Sequence, residues 1–271
     1  MPELPEVETT RLGLLPLLGV TVSRVAVRQP KLRWPVPDDL AQQLTGHPLL
    51  ALERRAKYIL ARFRHGTLLL HLGMSGRICL LAEDEAPGKH DHVDIHFADG
   101  QLLRLRDPRR FGAVLWMQGD PQQHALLSSL GPEPLQDAFD ADWLYRHTRK
   151  RSVAVKIAIM DSHLVVGVGN IYASESLFRA GIHPETPAGK LNRASCQRLV
   201  TEIKATLQDA LKAGGSSLRD FFGADGNPGY FQQSYFVYAR TDQPCRVCAS
   251  PIQTLRQGQR STFFCTHCQR R

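Results

Sequence analysis

Long apolar runs are missing from these 271 residues: none reaches the length of a bilayer-spanning helix. A basic segment followed by an apolar core is also missing at the start, so no secretory signal is read there and a cytoplasmic protein is expected. Internal repeats and low-complexity tracts are absent, which sets aside solenoids and disordered tails. Before residue 245 cysteine is nearly absent. Cys79 and Cys196 stand alone in apolar surroundings and are expected as small buried hydrophobes. Acid is what the last stretch lacks: from Arg240 to Arg271 there are six arginines and only Asp242.

What is present fits a globular chain long enough for two domains, with 42% hydrophobic and 22% charged residues. The net charge is +8, unevenly placed. Residues 1–130 carry 16 Lys and Arg against 14 Asp and Glu, whereas residues 131–271 carry 18 against 12. Such a surplus suits a polyanionic partner, nucleic acid above all, although many basic proteins have none. The other four cysteines form two C-x2-C pairs, Cys245/Cys248 and Cys265/Cys268, sixteen residues apart. In a reducing compartment this spacing reads as one closed four-thiolate zinc site, structural rather than catalytic.

The patterning divides the chain. Pro5 can open a helix, Glu6 and Glu8 suit its positive end, and Val7, Leu12, Leu14 and Leu15 give an apolar face, so residues 5–17 read as a short helix. From Val20 to about Met117 the pattern is strands: Val20–Val27, then Tyr58–Phe63 and Thr67–Leu72 about a turn at His65-Gly66, then Val93–Phe97 and Gln101–Leu105 across Asp99-Gly100. Short strands closed by tight turns predict an antiparallel sandwich or barrel. Beyond Gly131-Pro132 the period becomes helical. Asn170–Arg179 reads as one helix, and the row Cys196, Leu199, Val200, Ile203, Leu207, Ala210 and Leu211 as another ending at Gly214-Gly215.

Three constellations could carry chemistry, and each has an ordinary alternative. Removal of Met1 would leave Pro2 as a secondary amine, whose α-amino pKa of about 7.7–8.0 keeps a useful fraction neutral. Attack of that amine on a sugar C1′ gives an iminium that acidifies the C2′ proton, with Glu3 adjacent for proton transfer. Most chains beginning Met-Pro, however, make no use of the proline. In Val165-Val-Gly167-Val-Gly169-Asn170 the glycines and the following helix start could grip a phosphate, or could simply be a tight turn with Asn170 as cap. Arg104 to Gly112, with Phe111, suits a wedge for a base stack or a solvated loop with Phe111 packed inward. Met74, between Gly73 and Gly76, is core filler or the tip of a projecting turn.

Taken together, "PELPEVET", "RRAKY" (54–58), "HLGMSG" (71–76), "KHDHVD" (89–94), "DPRRFG" (107–112), "VVGVGNIYASE" (165–175) and the cysteine pairs resemble the bacterial formamidopyrimidine-DNA glycosylases, in that family's order and over essentially the whole chain. The resemblance implies an α+β multidomain fold: an N-terminal helix with an antiparallel β-sandwich (1–131), a helix–two-turns–helix domain (132–234) and a zinc-finger β-hairpin (235–271). It implies excision of oxidised purines, 8-oxoguanine and formamidopyrimidines, from double-stranded DNA, followed by β,δ-elimination, in a monomeric bacterial enzyme. By the same resemblance Pro2 is the Schiff-base nucleophile, Glu3 the general acid and Glu6 a supporting carboxylate. Lys57 serves β-elimination and phosphate contact; Arg260 serves δ-elimination. Met74, Arg109 and Phe111 fill the gap left by the flipped nucleotide, His90, Arg151 and Asn170 hold the DNA backbone, and residues from about 216 to 235 close over the extruded base. Zinc sits on Cys245, Cys248, Cys265 and Cys268. The related endonuclease VIII family shares the architecture and prefers oxidised pyrimidines, but Leu4 and the Met74/Arg109/Phe111 trio favour purines. A DNA-binding module without catalysis would be expected to have lost Pro2, Glu3 or Lys57. One departure is Lys156-Ile157, where relatives often carry Lys-Pro.

Overall fold

The computed structural model describes residues 2–216 and 229–270. The chain divides into two compact units, one made of residues 1–128 with 213–232, the other of 129–212 with 233–271.

The first unit starts with helix α1 (Leu4–Gly13). A capping box starts it: the Glu3 amide donates to Glu6 Oε2 at 2.8 Å, and the Glu3 side chain accepts from the Glu6 amide. The helix is shorter than the expected 5–17. Leu14 caps it and Leu15–Leu17 form a separate 3-10 turn, because Pro16 has no amide to carry the ladder onward. Eight strands follow, with helix α2 (Leu40–Leu44) between the first two: β1 (Val22–Val27), β2 (Ala51–Arg55), β3 (Tyr58–Phe63), β4 (Gly66–His71), β5 (Arg77–Ala82), β6 (Asp91–Phe97), β7 (Gln101–Arg106) and β8 (Ala113–Met117). They form two four-stranded antiparallel sheets, ordered β1-β6-β7-β5 and β2-β3-β4-β8. Period-2 alternation sends Val93, Ile95 and Leu105 from one sheet, and Ile59, Leu68 and Val114 from the other, into a shared core. The sandwich reading holds.

The opposite face of β6 and β7 carries charge. Arg104 is fully buried and donates bidentately to Asp94, Nε at 2.9 Å and Nη2 at 2.8 Å, and also to the carbonyls of Glu85 and Ala86. Arg28 reaches Asp94 as well, and Arg106 pairs with Asp91. Arg104 and Arg106 are therefore strand residues in an ion-pair layer, not members of a projecting loop. A base wedge drawn from 104–112 shortens to the segment after Arg106. Cys79 is another correction: on β5 beside this layer it is half-buried, whereas Cys196 is buried as expected.

The second unit contains α3 (Ala141–Thr148), α4 (Val155–Ile159), α5 (Asn170–Arg179) and α6 (Arg193–Lys212). Asp140 caps α3 through the Trp143 amide. The buried stripe of α6 is Cys196, Leu199, Val200, Ile203, Thr206, Leu207 and Ala210: the predicted row with Thr206 added and Leu211 only half-buried. The hairpin of β9 (Gln253–Gln257) and β10 (Arg260–Phe264) closes through Gly258 and Gln259, both at positive φ, as a two-residue turn requires.

The ion-pair layer makes a prediction. Burial pushes the Asp94 carboxyl up, but hydrogen bonds and charge from Arg104 and Arg28 outweigh it and hold the group below its ordinary 3.8. A carboxyl depressed in the folded state stabilises above the unfolded value, so this contribution should be lost as pH falls below 3.8. Asp94→Asn takes the bidentate carboxylate from a buried guanidinium, leaving it Asp91 at 3.7 Å and two carbonyls, and should destabilise the first unit by up to about 3–5 kcal/mol at pH 7. It should also flatten the acid limb of stability against pH, measured by urea denaturation. An unchanged acid limb would remove the pair as its source.

Candidate active site and nucleic-acid interface

Pro2 is buried, as are Glu3 and Glu6. The Glu6 carboxylate does two jobs: Oε2 accepts the Glu3 amide, and Oε1 accepts the Ser216 amide at 2.8 Å, 210 positions away. Gly215 permits this approach. Its φ is +80°, and a Cβ there would sit 3.0 Å from Glu6 Oε1. Tyr230 and Phe231 donate back to the carbonyls of Ala213 and Gly215, so residues 213–216 and 229–231 form a pinched neck. Between them lie residues 217–228, the greater part of the base-closing loop that the resemblance implies, and these are outside the described residues.

Lys57 occupies the two-residue turn Ala56-Lys57 between β2 and β3, with Ala56 at φ 54°. Glu8 ties that arm to α1, accepting from Arg54 Nε at 3.1 Å and pairing with Arg11, which also donates to the Leu52 carbonyl. Beside the turn, His71 is pushed down to about 4 by burial, and by the charges of Arg33 and Lys57. Its Nδ1 accepts the Gly73 amide, which leaves the neutral ring's proton on Nε2.

The three residues expected to form the wedge are brought together. A Cβ on Gly73 would meet the Phe111 backbone at 2.4 Å, so the turn carrying Met74 and the loop carrying Phe111 touch main chain to main chain. Met74 and Phe111 are each 42% exposed, against expectation for core side chains, and the Arg109 guanidinium lies 4.9 Å over the Phe111 ring. The organiser is Asp107, fully buried and not singled out by the sequence. Its oxygens accept the Gly112 amide at 2.7 Å, the Arg109 amide and the Ser75 hydroxyl. An Asp-Pro two residues before paired arginines was the available signal. His90 lies just before β6, with its carbonyl accepting the Asp107 amide.

In the second unit, Asn170 is not the cap of α5, since that place is taken by Gly169. Its side chain instead accepts from Lys156 Nζ at 2.6 Å and donates to the Ser261 carbonyl at 3.0 Å. Lys156 is fully buried, and Nζ also reaches Thr262 Oγ1 at 2.7 Å. The departure at Lys156-Ile157 thus falls on a lysine that joins α4, α5 and β10, and Ile157 packs at the hairpin turn beside Gly258. Arg260, next to Ser261, is exposed. Arg151 stands apart from these, paired with Asp161 at 2.7 Å.

The four cysteine sulfurs lie within 4.8 Å of one another, with Cys245–Cys268 at 3.9 Å and Cys248–Cys265 at 3.4 Å. Tetrahedral thiolates at about 2.3 Å from one zinc would stand about 3.8 Å apart, so the set fits a closed structural zinc site. Glu175 anchors the approach to it. The carboxylate, buried in α5, accepts the amides of Phe236, Val237 and Tyr238; burial pushes its carboxyl up against the pull of those donors.

A buried Pro2 beside the sandwich, the exposed Met74 and Phe111, and a four-cysteine hairpin beside paired helices make up the site the sequence pointed to. Three family models match in order: the formamidopyrimidine-DNA glycosylase N-terminal domain over residues 1–114, the H2TH domain of that family over 130–222, and the zinc finger found in FPG and IleRS over 242–271. A formamidopyrimidine-DNA glycosylase from Methylobacillus flagellatus is 68% identical over 269 residues, 99% of this chain and 96% of the relative. Among solved structures, Lactococcus lactis Fpg with abasic-site DNA superposes with a TM-score of 0.93 at 34% identity, over 99% of this chain and 100% of that one. The same protein with Fapy-dG DNA gives 0.91 at 33%, over the same shares. The chain belongs to the formamidopyrimidine-DNA glycosylase family.

The zinc site predicts its own dependence. Cys→Ser at any of the four positions, or stripping with a strong chelator, should unfold the β9–β10 hairpin and weaken duplex binding. The melting of the sandwich should be unchanged. Fresh, fully folded protein containing no zinc by metal analysis would refute the assignment.

Proposed function

We propose that this chain is a bifunctional DNA glycosylase and AP lyase of base excision repair, acting on oxidised purines through its N-terminal proline. The observation that carries the reading is the buried Pro2-Glu3 start locked by Glu6, in a member of a family whose Lactococcus lactis representative is seen with Fapy-dG and abasic-site DNA. With Met1 removed, the Pro2 nitrogen attacks C1′ of the damaged nucleoside, the glycosidic bond breaks and the base departs with a proton. Glu3, one residue from the amine, is positioned to supply and recover protons. The iminium then acidifies the C2′ hydrogen; its loss expels the 3′ phosphate, and a second elimination expels the 5′ phosphate. Lys57 and Arg260 serve these two eliminations by holding phosphate and proton.

The remaining residues give access. A base inside a duplex cannot be reached, so it must be unstacked at a few kcal/mol and its gap filled. Phe111 and Met74 are exposed apolar wedges, and Arg109, stacked on Phe111, is placed to meet the orphaned base. His90, Arg151 and Asn170 hold the backbone. Among the described residues no helix is long and apolar enough to cross a membrane, in keeping with work in the cytoplasm on nucleoid DNA.

Borohydride should trap a lesion-bearing duplex covalently on the Pro2 nitrogen, located by digestion and mass spectrometry, and Pro2→Gly should lose most base excision. An adduct on a lysine side chain, with Pro2 unmodified, would overturn the assignment.

A further inference from the structure

We infer that the end of α3 and the turn before α6 form a second duplex-binding surface, a phosphate track for undamaged DNA centred on Tyr145. The inference rests on the reading of the protein as a DNA enzyme, but not on which residue carries the chemistry.

Two cation-rich segments run side by side in the second unit. Between Trp143 and Met160 there is no acid, and besides the buried Lys156 and Arg151, already assigned to the lesion duplex, the segment carries Arg146, Arg149 and Lys150. Between Pro187 and Thr201 there is again none, with Lys190, Arg193 and Arg198. The backbones are stitched together: the Gly189 amide donates to the Arg151 carbonyl at 2.8 Å, and Arg149 Nη2 donates to the Leu191 carbonyl. A Cβ on Gly189 would lie 2.8 Å from the Arg149 carbonyl oxygen, so a larger residue there would push the segments apart. The Tyr145 ring then orders two guanidinium groups, Arg149 at 3.9 Å and Arg193 at 4.5 Å from its centroid.

Local structure explains only part of this charge. Cations at the C-terminal end of α3 complement its dipole, which accounts for Arg146 and Arg149. Lys190 and Arg193 sit at the opposite, positive end of α6, where cations are unfavourable. Carboxylates offset little of it: Asp142 pairs with Arg193 and Asp161 with Arg151, while no carboxylate pairs with Arg146, Lys150 or Lys190 among the described residues. Those three are exposed. A cation array with an aromatic spine, in which Arg146, Lys150 and Lys190 have no carboxylate partner among the described residues, suits a regular polyanion, and the phosphate backbone of duplex DNA is the one this protein handles.

The test is binding of undamaged duplex DNA at several salt concentrations, comparing parent protein with the triple variant Arg146→Ala, Lys150→Ala, Lys190→Ala. Each lost phosphate contact removes about 0.9 from the slope of log affinity against log salt, so the triple variant should lose about 2–3. Lys150→Glu, a single surface change, should weaken binding in the same assay and covers the case in which the triple variant misfolds. Parental slope and affinity in both variants would overturn the surface. Absence of borohydride trapping in the parent would instead strike the catalytic reading, and these binding data would still decide the track.

Discussion

One carboxylate sets the geometry on which the proposed chemistry depends. Glu6 is 2% exposed and holds two main-chain amides, that of Glu3 beside the proposed nucleophile and that of Ser216 at the neck of the loop beyond it. A secondary amine at a chain terminus has no anchor of its own, and a mobile one would forfeit most of what proximity contributes to an attack on C1′. The capping box turns the terminus into the first turn of a packed helix. Glu8, through Arg54 and Arg11, then ties the Lys57 hairpin to that helix, so Lys57 and the proposed nucleophile share one support.

The same device recurs. Asp107 gathers the amides of Arg109 and Gly112 and thereby shapes the loop that projects Phe111. Glu175 gathers three amides and seats the chain that leads to the zinc hairpin. In each case an irregular segment, which could not satisfy its own amides, is organised by a buried carboxyl, carried by a helix for Glu6 and Glu175 and by the residue just after β7 for Asp107. Lys156 does the converse, giving one ammonium to acceptors on α5 and β10 and so placing Asn170 beside the strand that begins with Arg260. The proposed functional residues sit on loops and turns that these buried charged side chains hold in place.

These buried charges are also what the sequence conceals. Period-2 and period-3.6 patterns marked the sandwich and the α6 stripe because burial of apolar side chains leaves a periodic trace. The C-x2-C pairs marked zinc because ligand spacing is local. Asp107, Glu175, Lys156 and Arg104 leave no such trace, since a charged residue reads as solvated until its partners, up to 106 positions away for Lys156, are known. Asn170 was open to reading as a cap because it stands at a helix start, yet its amide is engaged across the unit. Met74 and Phe111 were ambiguous for the opposite reason: an apolar residue reads as core, and only the structure shows that both are exposed.

The most direct measurement is the single-turnover rate of borohydride-trappable complex formation on an abasic-site duplex, with Glu6→Gln against the parent. Glutamine keeps the shape but offers one acceptor oxygen, so its NH2 must face the amide of either Glu3 or Ser216. If the carboxylate is what holds the amine, trapping should slow by about tenfold or more, with zinc content and duplex affinity kept. Trapping at the parental rate would show that the terminus is placed by something other than Glu6, and the central claim would fall.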